Sequence, residues 1–132
     1  MRAKDLMQSH AATIREDATI EQLCDLLQSA HVNGLPVLND QDELVGIVGE
    51  EDVLFGAMGF PLGGVAGVGG YVRDIMTSPA VCAAPGTDIV ELCRMMWGMR
   101  IHHVPIVEEG RLLGIVSSLD LVRAVAEGAL RP

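Results

Sequence analysis

Asp5-Leu6-Met7 returns as Asp74-Ile75-Met76, Leu23-Cys24 as Leu92-Cys93 and Pro36 as Pro105, each 69 positions later. Beyond the prolines, the run Leu44 to Val48 returns as Leu112 to Val116 and Asp52 returns as Asp120, now 68 positions later. A single lost residue, placed where a turn would lie and followed by restored register, marks two copies of one supersecondary unit. The copies run over about 4-58 and 72-128, joined by a glycine-rich stretch at 59-71. A chain of 132 residues suits one compact domain in which the copies share a core.

Each copy reads as helix, strand, helix, strand, turn, strand, helix. Thr19 stands three residues before Gln22 and Asp88 three before Glu91, so both copies predict a capping box at a helix start. Ile20, Leu23, Cys24 and Leu27, and then Ile89, Leu92, Cys93 and Met96, follow at i, i+3, i+4, i+7 and predict buried stripes. Leu35 to Leu38 and Val104 to Val107 read as short strands. The runs Leu44 to Val48 and Leu112 to Val116 return as their hairpin partners. The uncharged stretch Phe55 to Val72 is too rich in glycine for a membrane span and reads as a pliable linker, although Gly59, Gly63 and Gly67, four apart, would also permit close backbone approach. It lacks the Gly-Lys-Ser/Thr of a phosphate loop.

Composition removes several functions. A net charge of −9 leaves no basic face for nucleic acid, so none is expected as a partner. Hydrophobic content of 49% with only 3% aromatics predicts an aliphatic, Met-rich core. Three cysteines stand in no CxxC arrangement; Cys24 and Cys93, at equivalent helix positions, read as core residues, and a reducing cytoplasm is expected. The N-terminus enters the first copy directly, so neither a secretory signal nor membrane insertion is expected, and the chain reads as a complete cytosolic product or an excised module. His10, His31, His102 and His103 lack zinc spacing, and no intrinsic metal is expected. No nucleophile has an evident base beside it, and Glu50-Glu51 and Glu108-Glu109 read as solvated charge. The chain reads as a binding protein rather than an enzyme.

Chemistry is suggested where the second copy's last strand ends. Gly114-Ile-Val-Ser117-Ser-Leu-Asp120 places a hydroxyl at a strand end and a carboxylate three residues on, in the first turn of a helix. A carboxylate accepts two hydrogen bonds from a ribose diol, and a hydroxyl beside a helix N-terminus can meet phosphate. The same spacing also describes a helix cap, with Asp120 favouring the helix dipole. Spacing alone leaves both readings open.

The two copies resemble CBS motifs, and the pair resembles a Bateman module. The resemblance rests on Asp-Leu-Met and Asp-Ile-Met, Gly-Leu-Pro-Val and His-Val-Pro-Ile, and Gly-Ile-Val followed by Asp at 46-52 and 114-120. It implies an α/β fold of tandem β-α-β-β-α repeats with pseudo-twofold symmetry, their sheets packed together and flanked by helices. It also implies clefts that bind AMP, ADP, ATP or S-adenosylmethionine, and regulation of a partner protein not identified by the sequence. Similarity to the family's Gly-h-x-Thr/Ser-x-x-Asp motif puts Asp120 on ribose and Ser117 near phosphate, with Ala80 and Val81 against the base. Ile101-His102-His103-Val104-Pro105 is similar to the Ile-His-Arg-Leu-Pro stretch of AMP-activated kinase gamma subunits, where the basic pair faces phosphates. In the first copy Asp52 remains, but Gly49 replaces the hydroxyl and Asn33-Gly34 the basic pair, so Asp52 marks a weaker second site. An effector that meets either histidine should bind more tightly as pH falls from about 8 to 6. The alternative to a sensor is a ligand-free adaptor using the same fold for dimerisation. Val90 and Trp97, with Met95 nearby, predict a homodimer face on the helix after Asp88, and burial of Trp97 under the glycine-rich joint is the rival arrangement.

Overall fold

The computed structural model of the chain describes residues 1–57 and 70–128. Among them run α1 (Ala3–Leu6), β1 (Ile14–Arg15), α2 (Ile20–Ala30), β2 (Gly34–Leu38), β3 (Leu44–Gly49), α3 (Glu50–Ala57), α4 (Val72–Ile75), α5 (Ile89–Met99), β4 (His103–Glu108), β5 (Arg111–Ser117) and α6 (Ser118–Ala126). The fold is mixed α/β with two small sheets, β1-β2-β3 and β4-β5. No helix among the described residues is long and apolar enough to cross a membrane. The glycine-rich joint, with its spaced Gly59, Gly63 and Gly67, lies outside the described residues except for Gly70 and Tyr71.

Local sequence explains the helices. Thr19 Oγ1 accepts from the Gln22 N–H at 3.1 Å while the Gln22 side chain accepts from the Thr19 N–H at 2.9 Å, closing the expected box on α2. On α5 the expectation is only half met: Asp88 caps by accepting from the Val90 N–H at 2.8 Å, and Glu91 makes no return bond. An aspartate at the cap reaches the N2 amide directly, and that satisfies an orphan donor without help from N3. The stripes are inward as predicted. Leu23 and Leu92 are fully buried, with Cys24 and Cys93 packed half-buried beside them. Both helices end in left-handed residues at equivalent positions, His31 (φ 54°) and Arg100 (φ 55°).

The lost residue lies in the hairpin turn. The first hairpin spends Asn39 to Glu43 on its turn, Asn39 Oδ1 accepting from the amides of Gln41 and Glu43. The second turns tightly at Glu109 (φ 51°) and Gly110 (φ 80°), the positive pair that suits the twist of a short hairpin. One predicted strand is missing. In the first copy β1 runs parallel to β2, and the Glu16 N–H extends the ladder to the Leu38 carbonyl. The second copy keeps only a bridge between Ala83 and Ile106, because the counterpart of Glu16 is Pro85, which has no N–H to give.

The opening helices are exchanged between the compact units. One unit comprises 12–80; the other joins 1–11 to the chain from Val81 onward. The N–H groups of Ala3, Lys4 and Gln8 donate to the carbonyls of Thr87, Pro85 and Ile115, at 2.8, 3.0 and 2.9 Å. Their counterparts Val72, Arg73 and Thr77 donate to Ala18, Glu16 and Ile47, each at 2.9 Å. Ala3 and Leu6 thereby close the core built on Ile89, Leu92, Val104 and Leu121, while Val72 and Ile75 close the one built on Ile20, Leu23, Val37 and Val48. Asp5 and Asp74 accept from the amides of Arg2 and Tyr71 at 2.7 and 2.9 Å and start these short helices.

Candidate functional site

In the second copy, β4 and β5 pair so that His103 lies directly opposite Ser117, at the point where β5 passes into α6. The Ser118 N–H donates to the His102 carbonyl at 2.8 Å and ties the two chain ends together there. Ser117 caps α6. Its Oγ accepts from the Asp120 N–H at 3.2 Å, and Asp120 Oδ2 accepts from the Ser117 N–H at 2.8 Å and from the Ser117 hydroxyl at 2.9 Å. Asp120 is only 4% exposed, and its Oδ1 accepts from Gln8 Nε2 at 3.4 Å and faces the Arg123 guanidinium at 3.5 Å. Of the two readings left open by spacing, the helix cap is present: Ser117 and Asp120 close a box on α6, and the Asp120 carboxylate is buried beside it.

His103, Ser117 and Asp120 are brought together in one unit; the other expected residues fare differently. Val81 is exposed in that unit, whereas the half-buried Ala80 ends the other unit. Pro105 is fully buried and its carbonyl accepts from the Ala83 N–H at 3.0 Å, so it shapes the strand and has no surface left for a ligand. His102 is exposed. Burial pushes the His103 imidazole below its ordinary range; the neighbouring His102 adds to this and Asp120 opposes it. The expected pH window for a histidine effect, 8 to 6, accordingly moves down, because a half-buried imidazole is neutral until the solution is more acidic.

Gln8 and Arg123 were not anticipated. Arg123 had a signal, since it follows Asp120 by three residues on a helix and must share its face. Gln8 had none, because 112 residues separate it from Asp120.

The first copy is barer at the same place. Gly34 lies opposite Gly49, and Asp52 Oδ2 accepts from the Gly49 N–H at 2.8 Å. Burial raises the Asp52 carboxyl above the usual carboxylate range; the Gly49 bond works against this and Glu51 with it. A Cβ on Gly49 would stand 2.8 Å from the Asn33 carbonyl oxygen, so the missing hydroxyl is not restored by Gly49→Ser without a backbone shift. Cys93 has its thiol pushed up by burial, as suits a packing residue. No cluster of metal-ligating side chains occurs among the described residues.

The model of the CBS domain matches residues 3–59 and 72–127. The chain belongs to the CBS domain family. The inosine-5'-monophosphate dehydrogenase of Methanocaldococcus jannaschii is 28% identical over 123 residues, which are 92% of this chain and 23% of that protein. The chain spans less than half the length of the first curated relatives it matches, so what it shares with the dehydrogenase is a CBS portion. In kind it resembles non-catalytic regulatory modules. Two solved CBS structures share the fold at 23% identity: CBSX2 in complex with AMP, and the CBS domain pair of protein MJ0100 in complex with 5'-methylthioadenosine and S-adenosyl-L-methionine. Each has a TM-score of 0.85 and covers 97% of this chain and 98% of its own.

Proposed function

We propose that this CBS pair binds an adenosine-containing ligand, AMP, ADP, ATP or S-adenosylmethionine, chiefly at the second copy, and passes that state to a partner protein. The observation that carries the reading is the buried Asp120 carboxylate at a strand-to-helix junction, with Ser117 and His103 beside it. A carboxylate there suits a ribose diol, and the hydroxyl and imidazole suit a phosphate. The AMP and S-adenosylmethionine complexes of the two similar structures support the ligand class. Ser117 must turn its hydroxyl from Asp120 to meet a phosphate, and the first copy, with Gly34 and Gly49, offers Asp52 alone. Thermal unfolding with AMP, ADP, ATP, S-adenosylmethionine and NAD tests the reading, because a ligand that binds only the folded chain raises its melting temperature by mass action. A panel without any shift favours the second reading, a ligand-free adaptor. One observation supports that alternative: the Asp120 carboxylate already accepts three hydrogen bonds from its own chain and faces the Arg123 guanidinium.

The pH dependence has a definite sign. His103 is depressed in the folded state, so the unfolded chain binds more protons near pH 6 and the stability linked to this group is lost as pH falls below about 6.5. A bound phosphate favours imidazolium and offsets that loss. AMP affinity is expected to rise as pH falls through and below about 6.5, whereas adenosine affinity stays flat. Titration calorimetry at several pH values checks this, and an AMP profile as flat as that of adenosine returns His103 to a packing role.

The module is proposed to pair with a second copy through α5 and α6. Trp97 is 88% exposed and shares its side of α5 with the exposed Val90, and Leu119, Val122 and Val125 stand exposed on α6 of the same unit. Met95 does not join this face, since it packs against the core. Large apolar side chains exposed in such number on two helices of one unit are seldom left to water. Light scattering is expected to show a dimer at micromolar concentration, and Trp97→Glu to give a folded monomer. A parent that remains monomeric removes the proposal.

A further inference from the structure

We propose that Gln8 is a latch on the second-copy site: its side chain holds the Asp120 oxygen that a ribose diol needs, so ligand must displace it to bind. The inference rests on the nucleoside reading above. An ionised carboxylate has about four lone-pair positions, and four donors address those of Asp120. Two of them, the Ser117 N–H and hydroxyl, reach Oδ2 at 2.8 and 2.9 Å and hold the start of α6. The other two, Gln8 Nε2 and the Arg123 guanidinium, reach Oδ1 at 3.4 and 3.5 Å from exposed side chains. Oδ1 is the oxygen that can yield at least cost, because opening Oδ2 would undo the helix cap.

Gln8 is well placed to return to this oxygen after each opening. Its N–H donates to the Ile115 carbonyl at 2.9 Å and its carbonyl accepts from the Ile115 N–H at 3.3 Å. Rotation of the side chain therefore opens the latch while the arm stays paired. The first copy has the same backbone ladder, Thr77 with Ile47 at 2.9 and 3.0 Å, but no latch. Thr77 makes no bond to Asp52, and the counterpart of Arg123 is Phe55, which has no N–H in its side chain. The device thus sets the affinity of one copy only.

Gln8→Ala removes the competitor. Because apparent affinity falls by the fraction of time a site is closed, the variant is expected to bind AMP roughly two- to tenfold more tightly. It should bind 2',3'-dideoxy-AMP, which has no diol to place on Oδ1, as the parent does. Calorimetry with both nucleotides separates a latch from a general loosening of the arm, which would alter both. Equal changes, no change, or weaker AMP binding by Gln8→Ala overturns the latch while leaving the nucleoside reading in place. A parent that binds no adenosine compound overturns both. A second measurement does not depend on the variant folding: AMP should move the side-chain amide resonances of Gln8 in the parent while its backbone amide stays protected from exchange. Side-chain resonances that do not respond to saturating AMP overturn the latch.

Discussion

Asp120→Ala is expected to damage both the ligand site and the fold. The Ser117 N–H loses its acceptor at a half-buried position, α6 loses the acid of its first turn, and Gln8 and Arg123 lose the group they face. Loss of a cap and of charge-assisted bonds at a site only 4% exposed should lower stability by about 1–3 kcal/mol. Binding of an adenosine ligand should weaken by about 1.5–3 kcal/mol, on the order of 10- to 150-fold, because a ribose diol loses its acceptor. Asp52→Ala should cost less on both counts, since among the described residues Asp52 accepts from the Gly49 N–H alone. Denaturant unfolding and calorimetry on the two variants give the comparison. Equal losses of affinity would sink the assignment of the dominant site to the second copy.

Gly114→Ala should unseat the N-terminal arm. A Cβ at this position would lie 2.8 Å from the Gln8 carbonyl oxygen and 3.1 Å from the Met7 Cγ and Sδ. The first of these is backbone that is itself paired with Ile115, so it cannot give way without breaking the bridge. A cost of about 1–3 kcal/mol is expected, as for other insertions into packed space. Gly98→Ala is the control: nothing lies within 4 Å of its added Cβ, and it sits inside α5, where alanine is favoured over glycine by about 0.5–1 kcal/mol. One methyl group should therefore have opposite effects at the two glycines. If thermal unfolding shows both substitutions to be neutral, the close approach of the arm to β5 is not as described.

What the sequence disclosed follows the range of the interactions. The box of α2 and the Asp88 cap of α5, the buried stripes, and the lost residue in the hairpin turn depend on neighbours within a few positions, and all of these were legible. The failed strand of the second copy was also written there, in the exchange of Glu16 for Pro85. The exchange of α1 and α4 was not legible. Its hydrogen bonds join residues such as Arg2 and Gly86, 84 positions apart, and a repeated pattern says nothing about which copy each opening helix will pack against. Likewise Ser117-x-x-Asp120 reads the same for a cap and for a nucleoside site, because both need a hydroxyl and a carboxylate one helical turn apart.

The exchanged arm also orders events as the chain leaves the ribosome. Everything that the 12–80 unit requires has been made once α4 emerges, so this unit can close while the remainder is still being translated. Residues 1–11 are synthesised before that unit yet pair with Pro85, Thr87 and Ile115, and must wait through the whole of it. At about 5–20 residues per second the delay amounts to several seconds. During it Ala3 and Leu6, later buried, have no core to enter. The arm that precedes the 12–80 unit thus finds its place only after that unit has been made, and the site that it completes must wait for the residues of β5 and α6.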